Sequence, residues 1–237
     1  MAKEIQQNAF VLHSRSFRET SLLVTFFTEN NGKINAIVKG VRSSSKIARV
    51  KQAWLQPFQA LNISWVEKNN PSSELINLRL LEPTTLRFPL VGDANICGLY
   101  VNELLYRLLF QSVASPALFP QYQQTLFELA KTENRRQQAW VLRQFEYALL
   151  LELGVAMDMT LDSKHQPILA DCDYQFVLEV GFVRSENVSN LISGDVLQQF
   201  SQQKYSESSL PALKYLFRFV LSHYLGSKPI NTRNLFI

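Results

Sequence analysis

SLLVTFFTENNGKINAIVK, residues Ser21–Lys39, decides the fold. Its first eight residues are rich in β-branched and aromatic side chains, the composition of a half-buried strand. Asn30-Asn31-Gly32 follows, and these residues accept the positive φ that a tight reversal needs. Then comes clean alternation: Ile34, Ala36 and Val38 point one way, Lys33, Asn35, Ile37 and Lys39 the other. The stretch reads as a β-hairpin. Outward from it, Ala9–His13 is a short apolar strand. Pro57–Glu67 alternates Phe58, Ala60, Asn62, Ser64 and Val66 with Leu61, Ile63 and Trp65. Asn69-Asn70-Pro71-Ser72-Ser73 is a turn cluster, and Glu74–Leu81 is a fifth strand. Between Gly40 and Pro57, VRSSSKIARVKQ reads as a polar, basic loop. Five short strands in about 80 residues predict a five-stranded OB-fold barrel over residues 1–81.

After Glu82-Pro83 the period changes to that of helices, and residues 82–237 are expected to form a second, mostly helical domain. Asp93 or Asn95 caps a helix running to Gln111. Ser115-Pro116 opens another that ends near Lys131. Asn134 caps a long helix to Leu153, with Gly154 in the position after its end. Residues 155–190 mix short strand-like pieces with turns. Ser193 precedes a short helix, and Ser209 with Pro211 opens a last one that stops at Gly226. The fold class is α+β.

Composition excludes several functions. With 46% hydrophobic and 19% charged residues, the chain has material for a packed core and too little charge for disorder. No apolar run approaches the roughly 18–20 residues of a membrane span. The first residues, MAKEIQQNAF, show no secretory signal. Two cysteines, Cys97 and Cys172, make no disulfide framework, and a cytoplasmic location is expected. The formal charge of +4 is unevenly spread. Residues 1–79 hold 11 Lys and Arg against 5 Asp and Glu, and no acidic residue falls between Asn30 and Val66. That window carries Lys33, Lys39, Arg42, Lys46, Arg49 and Lys51. On its own this is either a lysine-rich solvated surface or a seat for a polyanion.

Four segments carry a resemblance. AFVLHSRSFRETSLLVTFFTENNGKINAIVKGVRSS (9–44), with its Arg-Glu-Thr-Ser run and Val-Lys-Gly-x-Arg strand end, is similar to the N-terminal barrel of the RecO recombination-mediator family. GLYVNELLYRLL (98–109) resembles that family's first long helix, LRQFEYALLLELG (142–154) its central helix, and GSKPINTRNLF (226–236) its C-terminal segment. The resemblance implies an OB barrel followed by a helical domain. It also implies single- and double-stranded DNA binding, strand annealing, and help in loading recombinase onto DNA coated by single-strand-binding protein. RecR and the acidic, phenylalanine-ended tail of single-strand-binding protein are the implied partners, and the nucleoid the implied place in the cytoplasm. Many family members carry a four-cysteine zinc module after the central helix. Here Thr160–Ser163 stands where the first pair belongs, and only Cys172 is nearby, so 155–190 is expected to be a degenerate, metal-free remnant.

With the resemblance added, the six cations of the acid-free window become the candidate DNA contacts. Lysine and arginine replace counterions along phosphates with little need to read sequence. Trp54 and Trp65 read as barrel core or domain interface rather than as base-stacking platforms. Arg15, Arg18 and Glu19 form a trio as readily structural as DNA-binding. On the central helix, Arg136, Trp140, Arg143 and Tyr147 share one sector, opposite Val141, Phe145, Ala148 and Leu149. Guanidinium forks grip carboxylates and aromatic faces offer a shelf for a phenylalanine ring, chemistry that suits the acidic tail. The plainer alternative, a neighbouring helix covering the aromatics, weighs more for Trp140 and less for Arg143, which matches the family's Leu-Arg-x-Phe-Glu pattern. No catalytic motif is present: His13, His165 and His223 are isolated, and no Walker or dinucleotide loop occurs. A non-enzymatic protein without cofactors is expected. The rivals are an adaptor whose basic barrel binds an acidic protein, and a nuclease.

Overall fold

The hairpin forms as its alternation predicts. In the computed structural model, which describes residues 3–67, 75–185 and 190–235, β2 (Ser21–Thr28) and β3 (Gly32–Val38) pair antiparallel. Phe26 lies opposite Ile34 and Val24 opposite Ala36. Ile34, Ala36 and Val38 are buried, while Lys33, Asn35 and Ile37 are half-buried. β1 (Glu4–Phe17) is far longer than the apolar core of it at 9–13. It pairs with β4 (Gln59–Val66) through Glu4–Ala9 and with β2 through Ala9–Phe17, so one strand serves two neighbours. Its N-terminal end alternates polar residues, Gln7 among them buried, and His13–Ser16 at its other end are all exposed, so both ends carry little hydrophobic signal. β5 (Leu75–Arg87) closes the barrel against β4, antiparallel, and against β3, parallel. The strand order is β1-β2-β3-β5-β4 in a closed barrel, the five-stranded OB architecture. Val24, Phe26, Ile34, Leu61, Ile63 and Trp65 fill it.

Two expectations change. Residue 82, where the helical domain was to begin, lies inside β5. There Glu82 and Pro83 pair with Asn62 and Leu61, beside a register shift that accommodates the proline's missing N–H. The expected turn over 69–73 lies outside the described residues. Moreover, the basic loop is in part a helix, α1 (Lys46–Trp54), capped by Ser45, whose Oγ accepts from the Ala48 N–H at 3.1 Å.

The chain divides into two compact units, Met1–Glu133 with Ile230–Ile237, and Asn134–Pro229. The first holds the barrel with α2 (Gly92–Leu108) and α3 (Leu118–Lys131). Phe10 and Phe27, on the outer side of the barrel wall, pack with Phe119 and Tyr122 at centroid distances of 5.1–5.8 Å. Asn102 Nδ2 donates to the Val11 carbonyl and its Oδ1 accepts from the Tyr122 hydroxyl, so this buried amide is satisfied from both sides. Gly32 has φ +60°, and a Cβ there would sit 1.8 Å from the Val113 carbonyl oxygen. The hairpin turn and the loop after α2 therefore meet backbone to backbone.

The second unit is built on α4 (Arg135–Glu152), capped by Asn134, whose Oδ1 accepts from the Arg136 and Gln137 N–H groups. It packs on α6 (Leu210–Leu225). Between them in sequence lie a three-stranded sheet, β6 (Asp173–Val177), β7 (Gly181–Arg184) and β8 (Ile192–Ser193), in the order β7-β6-β8, and α5 (Gly194–Ser201). Among the described residues no helix is long and apolar enough to cross a membrane.

Candidate nucleic-acid interface

The acid-free window begins at the end of β3 and runs through the loop into α1. Gly40, with φ +68°, turns the chain out of the strand. The loop is then fastened to the β1–β2 turn: the Val41 and Arg42 N–H groups both donate to the Thr20 carbonyl, and Arg42 Nη1 donates to the Arg18 carbonyl at 3.0 Å. Arg18, itself at φ +52°, is exposed and lies with its guanidinium 5.4 Å from the Phe17 ring centroid. Thus the Arg-Glu-Thr-Ser run supports the loop that carries Arg42. The sequence signal for this was the run itself, whose role spacing alone left open. Among the described residues no ion pair joins Glu19 to Arg15 or Arg18.

Lys39, Arg42, Lys46 and Arg49 are all exposed. Arg49 Nη2 donates to the Ser44 carbonyl at 3.3 Å, which holds its side chain back along the first turn of α1. That turn contains no acidic residue. Cations at a helix N-terminus oppose the macrodipole, so Lys46 and Arg49 sit where local helix energetics favour carboxylates. An anion bound beside them would offset this.

Lys33 and Lys51 stand apart. Lys51 is half-buried. Lys33 is turned towards α2: its Nζ donates to the Tyr106 carbonyl at 2.7 Å and lies 5.8 Å from the Tyr106 ring centroid. Desolvation lowers its pKa. The Lys33 carbonyl accepts from the Ser112 N–H, and neighbouring Asn35 Nδ2 donates to Gln111 Oε1. Lys33 is a strap between β3 and the end of α2, which sets it apart from the four exposed cations.

The stripe on α4 is also rearranged. Arg136 stays at the surface, paired with Glu207. Trp140 is buried edge-on against Phe200 and Tyr205. Tyr147 packs against Phe200 and Phe217, and burial, helped by the nearby Asp158 charge, pushes its phenol pKa up. Arg143 is 8% exposed, with Nη2 donating to Glu146 Oε1 at 2.6 Å and the guanidinium 5.9 Å from the Phe217 ring centroid. Side chains of α5 and α6 thus cover most of what the helical period presents as one open face. The expected aromatic shelf is corrected to a packed seam.

Where the resemblance places the first cysteine pair, aspartates organise the chain. Asp158 Oδ1 accepts from the Thr160 N–H, the Thr160 hydroxyl and the Leu161 N–H, which lowers its pKa. Asp162 Oδ1 accepts from the Lys164 and Gln166 N–H groups. One buried thiol, Cys172, and carboxylates already engaged with backbone do not fit a tetrahedral zinc. Among the described residues no group of three or more His, Cys, Asp or Glu is placed to hold a metal ion. His13 lies on the Tyr106 ring at 4.7 Å, its pKa lowered by desolvation and by Arg15.

Two family models match in sequence order, "Recombination protein O N terminal" over residues 1–84 and "Recombination protein O C terminal" over residues 90–234. The chain belongs to the RecO family. It is 41% identical to the DNA repair protein RecO of Pseudoalteromonas atlantica, across 100% of this chain and 95% of that one. It is 38% identical to the RecO of Hamiltonella defensa, over 96% and 95% of the two chains, and 37% identical to that of Vibrio parahaemolyticus, over 98% and 92%. Family membership gives the chain a role in DNA repair and recombination.

Proposed function

We propose that the chain is a non-catalytic DNA mediator. It binds single- and double-stranded DNA on the barrel's basic segment, anneals complementary strands, and helps load recombinase onto DNA covered by single-strand-binding protein, acting with RecR on the cytoplasmic nucleoid. The observation that carries this reading is the run of four exposed cations, Lys39, Arg42, Lys46 and Arg49, in a window without a carboxylate. Two phosphate backbones repel each other, and a cationic surface that neutralises both lowers the barrier to pairing. Replacing the four residues by Ala should weaken single-strand binding and flatten its salt dependence by roughly 0.7 in slope per lost contact. Annealing of oligonucleotides, bare or covered by single-strand-binding protein, should fall with it. An unchanged slope removes this surface from the reading, and retained binding to an acidic protein alone would favour an adaptor.

The same reading assigns the acidic tail of single-strand-binding protein to α4. With Trp140 and Tyr147 covered, Arg136 is the accessible cation of the stripe and Arg143 acts from beneath it. A tail-peptide titration against Arg136→Ala and Arg143→Lys tests this, since neither change removes a buried charge. The 155–190 segment is proposed to work without zinc; one zinc per purified chain by elemental analysis would overturn that.

A further inference from the structure

α1 is inverted. Of its nine residues only Ala48 is buried, yet Ile47 is 69% and Val50 41% exposed. At 100° per residue Ile47, Val50 and the half-buried Trp54 fall in one sector, with Lys46 and Arg49 along one flank and Lys51 along the other. A short surface helix ordinarily turns its branched apolar residues inward and its lysines outward. Here Trp54 packs against the barrel core, while the two aliphatic side chains stand in solvent between cations. Isolated exposed apolar residues are common. Two on adjacent turns, bracketed by positive charge and without a carboxylate from residue 30 to 66, form a surface with two chemistries.

We infer that Ile47 and Val50 are contacts for the bases of single-stranded DNA, and that they make α1 discriminate single strands from duplex. This rests on the DNA-binding reading above. The flanking cations take phosphates of either form, because both forms present them. A duplex hides its base faces in the stack. A single strand lying along Lys46 and Arg49 can turn unstacked bases onto the aliphatic ridge, since single-stranded bases splay out of the stack far more readily than paired ones. That contact buries apolar surface and releases no counterions, so it adds affinity for single strands without adding to the salt slope. Once a complementary strand pairs with those bases they leave the ridge, and only the phosphate contacts remain. The helix would then hold single strands more tightly than the annealed product.

The test measures binding of an unlabelled-sequence pair, one single-stranded oligonucleotide and its duplex, across a salt series for the intact chain. Ile47→Ser with Val50→Ser should weaken the single strand about tenfold, the worth of a modest apolar contact, with a parallel salt line and duplex affinity unchanged. Ile47→Leu with Val50→Leu should stay near wild type. Both residues are exposed, and equal melting temperatures for the variants would exclude a folding defect. Single-strand affinity equal to wild type overturns the inference, as does an equal loss for both DNA forms or a reduced slope. Absence of DNA binding by the wild type would instead overturn the reading on which it rests.

Discussion

The arginines of α1 and of α4 share a guanidinium and differ in everything around it. Arg49 is exposed, lies in a window without carboxylates, and its guanidinium donates to a backbone carbonyl. Arg143 is enclosed, in contact with Glu146 and above the Phe217 ring. An exposed cation contributes little to the fold and keeps its donors for a ligand. An enclosed one is committed to the fold, and its removal leaves a carboxylate in a poor medium. The same residue type thus stands free at the surface in one unit and packed into the interior in the other.

The largest expected effect breaks the α4 side of that comparison. Arg143→Ala removes a charged partner of Glu146, which is 1% exposed, and should destabilise the protein by about 3–5 kcal/mol in urea unfolding. Arg143→Met combined with Glu146→Leu should recover most of the loss, because both charges then leave together. Lys33 sharpens the comparison as an intermediate case. Lys33→Met loses the bond to the Tyr106 carbonyl and should cost about 1 kcal/mol, with single-strand affinity unchanged. At the other end, Lys39→Ala, Arg42→Ala, Lys46→Ala and Arg49→Ala should each shift stability by no more than about 0.5 kcal/mol, while DNA binding falls. A large stability loss in that set would place these cations with Arg143.

The sequence was legible where one face was buried and the other wet. β3 shows this: its alternating residues pair and bury as their period requires. α1 was illegible for the opposite reason. Helical periodicity is a record of burial, and a helix whose aliphatic residues face solvent leaves no such record. α4 misled in a third way. Its period separates two sides, but Trp140 and Arg143 on one are buried as well as Phe145 and Leu149 on the other, and a single-face pattern cannot represent a helix covered twice. The cations of the proposed DNA surface were chosen by charge alone. Charge does not show that Lys33, beside a turn, reaches 73 positions ahead to a helix carbonyl.

The aromatic contact of Phe10 and Phe27 with Phe119 and Tyr122 bears on how the protein can be dissected. A fragment ending after β5 would contain every barrel strand and still leave two phenylalanines of the outer wall without cover, along with the Gly32 turn that abuts Val113. Such a fragment should self-associate. In the intact chain, slow-exchanging amides of β1 and β2 should open together with those of α2 and α3, so that barrel and helices melt as one cooperative block although their secondary structures are of different kinds.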